Sequence, residues 1–238
     1  MIGLALAACA SQPIAPDKAV QYKRVGLLSA MGDQFEKTLI GVTVFGNDYS
    51  TERLDLGADR LLTKNAVREL STRYDVVDLS RYRGPFLDAW SEPSNRTSQM
   101  VPEVVRRLMG AEGLDAYILI TPRGAPVRGT RLGIGGIGIA KREGLFGTMG
   151  TWFHLAYDIR VVDGTDYALV AEMPALPVGE TELSVLAPFH APVGAPFVHA
   201  WSDLWAQPSM HQTEIMAMLD QLAERSLPET LRRAALID

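Results

Sequence analysis

Apolar and polar residues alternate through WFHLAYDIRVVDGTDYALVAEM, residues 152–173, and this period of two predicts a long antiparallel hairpin. Odd positions of the first arm, from Phe153 to Val161, are apolar, whereas His154, Asp158 and Arg160 lie between them. The pattern therefore predicts one buried face and one face in contact with water.

The return arm is also apolar at odd positions, and this restricts the turn. A three-residue loop, Val162-Asp163-Gly164, with Gly164 in the left-handed conformation at a bulge, keeps the odd positions of the two arms opposite each other. The resulting register places four pairs of residues opposite each other: Ile159 and Tyr167, Leu155 and Ala171, Arg160 and Asp166, and His154 and Glu172. The last two pairs are predicted on the solvent-exposed face.

The preceding part of the chain alternates between strand and helix patterns. Residues 24–31 and 35–45 predict strands, and the second is ended by Gly46-Asn47-Asp48. Helical spacing over residues 56–73 and 98–109 predicts two amphipathic helices, the second stopped by Gly110 and Gly113. Between them come a short strand, residues 74–79, and a loop, residues 84–95, that carries Trp90. Residues 116–120 are apolar without alternation, as in a central strand covered on both faces.

The C-terminal part is different in character. Residues 174–194 are rich in proline and show no hydrophobic period, so they are predicted to form an irregular segment on the surface. Trp201–Trp205 predicts one helical turn and residues 210–225 a helix, after which residues 226–229 cap a short last helix. The predicted fold is α/β: a mixed sheet with two amphipathic helices, a long hairpin in the C-terminal half and a helical tail.

Charge and cysteine content exclude several classes of protein. A net charge of −5 without a basic run argues against nucleic-acid binding. Cys9 is the only cysteine, which excludes an internal disulfide and a thiolate metal cluster.

The N-terminus resembles the end of a bacterial lipoprotein signal, with Leu6-Ala7-Ala8-Cys9 as the lipobox. In that class the cysteine becomes the acylated N-terminus, so the resemblance implies a lipid anchor on Cys9. Ala10 in the next position favours the outer membrane. The positively charged region of a secretory signal is missing, so the true start is expected upstream of Met1. The alternative is an ordinary apolar N-terminus with a free thiol.

These patterns divide the chain into four parts. Residues 1–9 are the remnant of the signal, residues 10–22 a tether, residues 23–175 the α/β domain, and residues 176–238 a proline-rich wrap with a helical tail.

Three short motifs of the domain resemble the bacterial envelope superfamily that contains CsgG, LpoB and the N-terminal domain of TolB. They are YDVVDLSR (residues 74–81), LDAYIL (114–119) and IRVVDGT (159–165). The resemblance covers roughly residues 23–175. It implies a periplasmic protein that is anchored to the outer membrane by lipid and docks onto an envelope assembly.

The glycine-rich segment, residues 129–150, is the most unusual in composition. Gly133–Gly138 formally matches a dinucleotide-binding fingerprint, but no helix pattern follows it, as that site would require. The segment is instead predicted to be a glycine-weakened edge strand in a mobile hairpin. The alternative is a tip that binds a protein partner through Lys141, Arg142, Leu145 and Phe146.

The sequence contains no catalytic or metal-binding pattern. The four histidines (His154, His190, His199 and His211) are scattered, and Asp55 and Asp59 are predicted on a solvated helix face. Trp201 and Trp205 are expected to dock a helix rather than stack on a sugar.

The predicted function is a non-enzymatic outer-membrane lipoprotein that needs no cofactor and docks onto an envelope machine such as a peptidoglycan synthase or a secretion assembly. One alternative is an oligomeric pore of the CsgG kind. Another is a module that binds a small ligand or a glycan. The sequence does not determine the oligomeric state.

Overall fold

The computed structural model describes residues 12–126, 133–145, 147–175, 196–200 and 202–238. Its helices are α1 (Pro16–Gln21), α2 (Ala58–Leu70), α3 (Arg83–Ser91), α4 (Val101–Met109), α5 (Ser202–Ala206) and α6 (Gln212–Arg233). Its strands are β1 (Arg24–Ser29), β2 (Gln34–Ile40), β3 (Asp48–Arg53), β4 (Asp75–Asp78), β5 (Ala116–Pro122), β6 (Gly124–Pro126), β7 (Gly133–Gly144), β8 (Gly147–Asp163), β9 (Leu169–Pro174) and β10 (Phe197–His199).

The strands form one mixed sheet in the order β3-β2-β7-β8-β5-β1-β4, and β6, β9 and β10 pair beside this path. The 17-residue strand β8 is its longest member. The parallel pairs are β1 with β4, β1 with β5, and β2 with β7. The α/β class predicted from the sequence, with its mixed sheet and helical tail, is confirmed.

Two strands share one edge of β8, end to end. Strand β5 pairs with its C-terminal half as far as Pro122 opposite Tyr157, and β7 continues from Gly136 opposite Ala156. At the junction the Arg123 amide donates to the Ala156 carbonyl, and the Gly136 amide donates to the Arg123 carbonyl. On the far side, β1 is followed in line by β2. The sheet therefore has a seam, formed by residues 30–33, 122–124 and 133–136, where β5 and β1 end and β7 and β2 begin.

Helices cover the two faces of the sheet differently. The odd-numbered residues of β8, from Phe153 to Val161, are buried in one cluster with apolar residues of α2 and α6. On the opposite face, α3 and α4 pack over β1 and β5, with Trp90, Val105 and Tyr117 among the buried residues. Strand β5 is thus covered on both faces, as its continuous apolar run predicts. Within the described part of the chain, every helix is too short or too polar to cross a bilayer.

The predicted register of the hairpin is wrong. Arg160 pairs with Glu172, Ile159 pairs with Met173, and a bulge follows Val161. The loop is longer than three residues because β9 begins only at Leu169, and the left-handed residue is Tyr167, with φ of 56°. Gly164 is needed for a different reason: a Cβ there would lie 1.7 Å from the Leu114 carbonyl oxygen. The motif IRVVDGT forms a strand end and turn, but not in the predicted register.

Four further predictions differ from the structure. The predicted loop, residues 84–95, is helical as far as Ser91, since α3 spans Arg83–Ser91. Strand β7, predicted at an edge, lies between β2 and β8. Strand β3 was not predicted as a separate strand. Helix α6 runs through Pro228 to Arg233 without the predicted break, since its buried face continues through Leu227 and Leu231.

The segment predicted as a tether is folded from residue 12 onwards. Ile14, Ala19 and Tyr22 are buried in the main cluster. Gln12 exchanges two backbone hydrogen bonds with Glu172, and the Tyr22 hydroxyl donates to Asp163 at 2.9 Å. The proline-rich stretch lies almost wholly in residues 176–195, outside the described residues.

Candidate functional site

A cavity of about 1290 Å³ opens at the seam of the sheet. Its wall includes the β1–β2 connection around Gly32, the end of β5 at Pro122, and the start of β7 at Gly135. Helix α3 and strand β9 supply further lining residues. Ligands of α/β proteins commonly bind where parallel strands end at their carboxyl side, and β1 and β5 end here. The cavity is therefore the candidate binding site of this fold.

Arg160 lies at the base of the cavity with only 8% of its side chain exposed. Its guanidinium donates to Asp158 at 3.0 Å and to Glu172 at 2.8 and 3.0 Å. It also donates to the Thr121 hydroxyl at 2.5 Å. Arg123 reaches the other oxygen of Asp158 at 3.4 Å. These five residues are called the Arg160 cluster. A buried cation of this kind is tolerated because its donors are matched by acceptors.

The two carboxylates of the Arg160 cluster differ in their ionisation. Burial raises the pKa of Asp158 to about 6, against the opposing charges of Arg160 and Arg123. Burial also acts to raise the pKa of Glu172, but the hydrogen bond from Ser98 at 2.7 Å and the charge of Arg160 lower it on balance. The pKa of Asp158 is thus raised and that of Glu172 is lowered, although both carboxylates pair with the same guanidinium.

Trp90 covers the Arg160 cluster from α3. The guanidinium of Arg160 lies 5.2 Å from the centre of its ring, within the range of a cation–π interaction. The same ring is stacked with Phe86 at 5.5 Å. The ring of Trp90 is therefore packed against Arg160 and Phe86 of the same chain.

Carboxylates and arginines are both present around the cavity, so the lining is mixed in charge. Glu36 accepts a hydrogen bond from the Gly135 amide at 2.6 Å, and burial raises the pKa of its carboxyl. Such a lining suits a polar ligand with donors and acceptors better than one with a large single charge. Among the described residues, no group of three His, Cys, Asp or Glu side chains is placed to hold a metal ion.

Asp59 holds the wall of the cavity in place. Its carboxylate accepts hydrogen bonds from the Ser29 hydroxyl at 2.8 Å and from the amides of Met31 and Gly32 at 2.7 and 3.3 Å. Burial is the largest influence on this group and raises its pKa. The prediction that Asp59 lies on a solvated helix face is wrong, because the first turn of α2 points into the seam.

His154 is fully buried instead of facing water, and it is opposite Gly138 and Phe197 instead of Glu172. Burial lowers its pKa to about 3, and the backbone of Gly136 opposes this shift. Neither ring nitrogen has a hydrogen-bonding partner of normal geometry. The ring fits because Gly138 has no side chain: a Cβ there would be 2.9 Å from Nε2.

The remaining predicted residues do not converge on a site. His211 pairs with Glu214, and His199 is exposed beside Trp152. Lys37 lies 5.3 Å from the ring centre of Trp205, which is half-buried. Cys9, His190 and Trp201 lie outside the described residues.

The predicted partner-binding residues are at the tip of the β7–β8 hairpin. Leu145 is 81% exposed there, and Lys141 pairs with Glu143 at 3.4 Å. Arg142 pairs in register with Ile40 of β2. Phe146 lies outside the described residues. The structure thus places three of the four at one end of the sheet.

A second exposed apolar loop, which was not predicted, lies beside this tip. It connects β2 to β3 and carries Phe45, 95% exposed, and Val42, 53% exposed. The sequence GVTVFG, residues 41–46, is rich in apolar and β-branched residues, which is why it is predicted as the end of a strand.

The β2–β3 loop is compact and is held by its own backbone contacts. The Gly41 amide donates to the side-chain oxygen of Asn47 at 3.0 Å, and the Gly46 amide donates to the Thr43 carbonyl at 3.0 Å. A Cβ on Gly41 would lie 2.6 Å from the backbone of Gly46. The loop therefore holds Phe45 outward by backbone contacts.

Comparison with known proteins does not identify the family. No family model and no curated protein matches the chain. A PelC dodecamer from Paraburkholderia phytofirmans is 8% identical over 94% of this chain and 93% of its own, with a TM-score of 0.36. A Xanthomonas campestris protein of the DUF330 family is 10% identical over 90% and 84%, at 0.39. A lipoprotein of Neisseria meningitidis is 10% identical over 82% and 98%, at 0.32. Similarities of this size do not establish a shared fold or function.

Proposed function

We propose that this chain is a non-enzymatic, lipid-anchored protein of the outer membrane that docks onto a protein assembly of the bacterial envelope. The observation that carries the proposal is Leu145, an apolar side chain 81% exposed at the tip of a hairpin whose strands lie inside the sheet. Covering this side chain with a partner would remove apolar surface from water, which is the main favourable contribution to most protein–protein association.

The N-terminal segment supports the lipid anchor. Cys9 ends a lipobox-like motif, and the chain joins the fold at Gln12, where it pairs with Glu172. The Arg160 cluster is an internal ion-paired network, and such a network has a structural role that needs no catalysis.

Two measurements test the proposal in the native host. Cys9→Ser should remove the protein from the outer-membrane fraction, because a serine hydroxyl does not take the place of the lipidated thiol. A photo-reactive amino acid in place of Leu145 should give one discrete adduct in intact cells. The control position is Met210, which is 75% exposed, directly before α6. Unchanged fractionation of Cys9→Ser, or equal labelling from both positions, would contradict the proposal.

The cavity supports a second candidate function, the binding of a small polar ligand at the Arg160 cluster. A ligand that binds only the folded state raises the unfolding temperature. Envelope glycans and short peptides should therefore be screened for such a shift, with Arg160→Met as the control variant. The oligomeric-pore alternative requires an oligomer in detergent, so a monomer by light scattering would exclude it.

A further inference from the structure

We infer that Val42, Phe45 and Leu145 form one docking surface, here called the two-loop surface, for a protein partner with an apolar cleft. The inference rests on the proposed function and deepens it. It adds the β2–β3 loop to the hairpin tip and places the surface at the end of the molecule opposite the lipid anchor.

The two loops are neighbours because their strands are parallel. Strand β2 pairs with β7 from Phe35 opposite Ile137 to Ile40 opposite Arg142. Both chains then leave the sheet at the same end, and adjacent strands are only about 4.8 Å apart. The loops that carry Phe45 and Leu145 therefore lie at the same end of the sheet, although the two residues are far apart in sequence.

The exposure of Phe45 follows from how its loop is built. The contact of Gly41 with Gly46 and the hydrogen bond to Asn47 close the loop over residues 41–47. A closed loop of this kind loses little conformational freedom when a partner covers it. Aromatic residues, phenylalanine among them, are enriched in protein–protein interfaces.

The position of the anchor favours a protein over the anchoring membrane as the occupant. Cys9 precedes Gln12 by three residues, which span at most about 10 Å. Gln12 pairs with Glu172, and Glu172 pairs with Arg160 near the C-terminal end of β8. From Arg160 to Gly147 the strand extends about 40 Å at its usual rise per residue. The two-loop surface is therefore at the far end of β8 from the anchor.

Charge around the loops supports the same choice. Lys141 and Arg142 are balanced by Asp48 and Glu143. A surface that binds anionic lipid headgroups would carry a cluster of basic residues without such a balance. The two-loop surface instead offers apolar side chains within a neutral setting, which fits an apolar cleft on a protein.

The test places a photo-reactive amino acid at position 45, 145 or 210 of the full chain in its native envelope. We expect adducts of the same mass, containing the same partner peptides, from positions 45 and 145 and none from position 210. Phe45→Ser should reduce the adduct from position 145 at least 10-fold, whereas Phe45→Leu should retain it. Met210→Ser should have no effect, and the unfolding temperature should be unchanged in all variants.

Each other outcome has a defined meaning. An adduct from position 145 that Phe45→Ser leaves intact would overturn the two-loop surface and leave the proposed function standing. No adduct from either position, with Cys9→Ser still in the outer-membrane fraction, would overturn both. Labelling of lipid from both positions would overturn the protein partner and identify the membrane as the occupant. An adduct of twice the mass of the chain would instead identify a second copy of the chain.

Discussion

Replacing Asp158 by asparagine tests the electrostatics of the Arg160 cluster. Burial raises the pKa of Asp158 from 3.8 to about 6. Between these two values the folded state holds a proton that the unfolded state has lost. The stabilising contribution of Asp158 is therefore fully present below pH 4 and is lost as pH rises through 6. Asparagine resembles the protonated acid in shape and cannot lose this proton.

The magnitude follows from the size of the shift. Two pKa units correspond to about 3 kcal/mol, and about 2 kcal/mol of this falls between pH 4 and pH 7. Asp158→Asn should therefore gain about 2 kcal/mol relative to the natural protein over this range. The charges facing the group are Arg160, Arg123 and Glu172, and all remain in the variant. Glu172 alone then balances Arg160.

The assay is urea unfolding of both proteins at half-unit steps from pH 4 to pH 8. The quantity that matters is the difference in free energy of unfolding between the two proteins at each pH. It should move in favour of Asp158→Asn as pH rises and level off above pH 7. A difference that is constant with pH, or that moves in favour of the natural protein, would refute the assigned ionisation of Asp158.

Three further substitutions test separate parts of the structure by the same unfolding assay. Ile14→Ala should cost about 2–5 kcal/mol because residue 14 is in the core, whereas Val20→Ala, at an exposed position, should change stability by less than about 0.5 kcal/mol. His154→Leu should gain about 1–3 kcal/mol, since it removes unpaired buried nitrogens; a loss would indicate that a partner satisfies the ring. Gly164→Ala should cost about 1–3 kcal/mol or more through its clash with a backbone carbonyl, whereas Gly84→Ala meets nothing within 4 Å and should not destabilise.

The elements that were predicted correctly from the sequence are those whose hydrophobic pattern is compatible with only one arrangement of buried and exposed faces. Strand β5 is apolar from Ala116 to Ile120 because helices cover one face and the main core the other. Helix α4 has apolar residues on one side only, and that side is buried. Strand β3 (DYSTER) was missed because its residues are polar and exposed, so no hydrophobic period marks it.

The register of the hairpin could not be derived from alternation alone. A period of two shows that the faces of β8 differ, but it does not show that the polar face meets water. Arg160 is covered by Trp90 of α3, and its burial is tolerated because it is paired with Asp158 and Glu172. Pairing Arg160 with Glu172 brings opposite charges together. The predicted pairing of Arg160 with Asp166 would have done the same, so charge alone does not distinguish the two registers.

The candidate site was harder to predict, since its parts are distant in sequence. Thr121, Asp158 and Glu172 come from three strands, and Ser98 comes from the segment before α4. None of these residues belongs to a local motif, so only the strand order brings them together. The same reason applies to Phe45, whose place beside Leu145 depends on the parallel pairing of β2 with β7.

The exchange of β5 for β7 along one edge of β8 accounts for both surfaces of interest. Where β5 leaves the sheet and β7 enters, the seam opens the cavity above Asp158 and Arg160. Because β7 continues beyond that point beside β2, the sheet extends to a second end, where the two-loop surface lies. Gly136, with φ of 53°, allows the chain to enter the sheet at the seam, and Asp59 fixes the β1–β2 connection opposite it. The cavity near the expected anchor and the loops far from it are thus two consequences of one feature of the sheet, and strand β8 runs from one to the other.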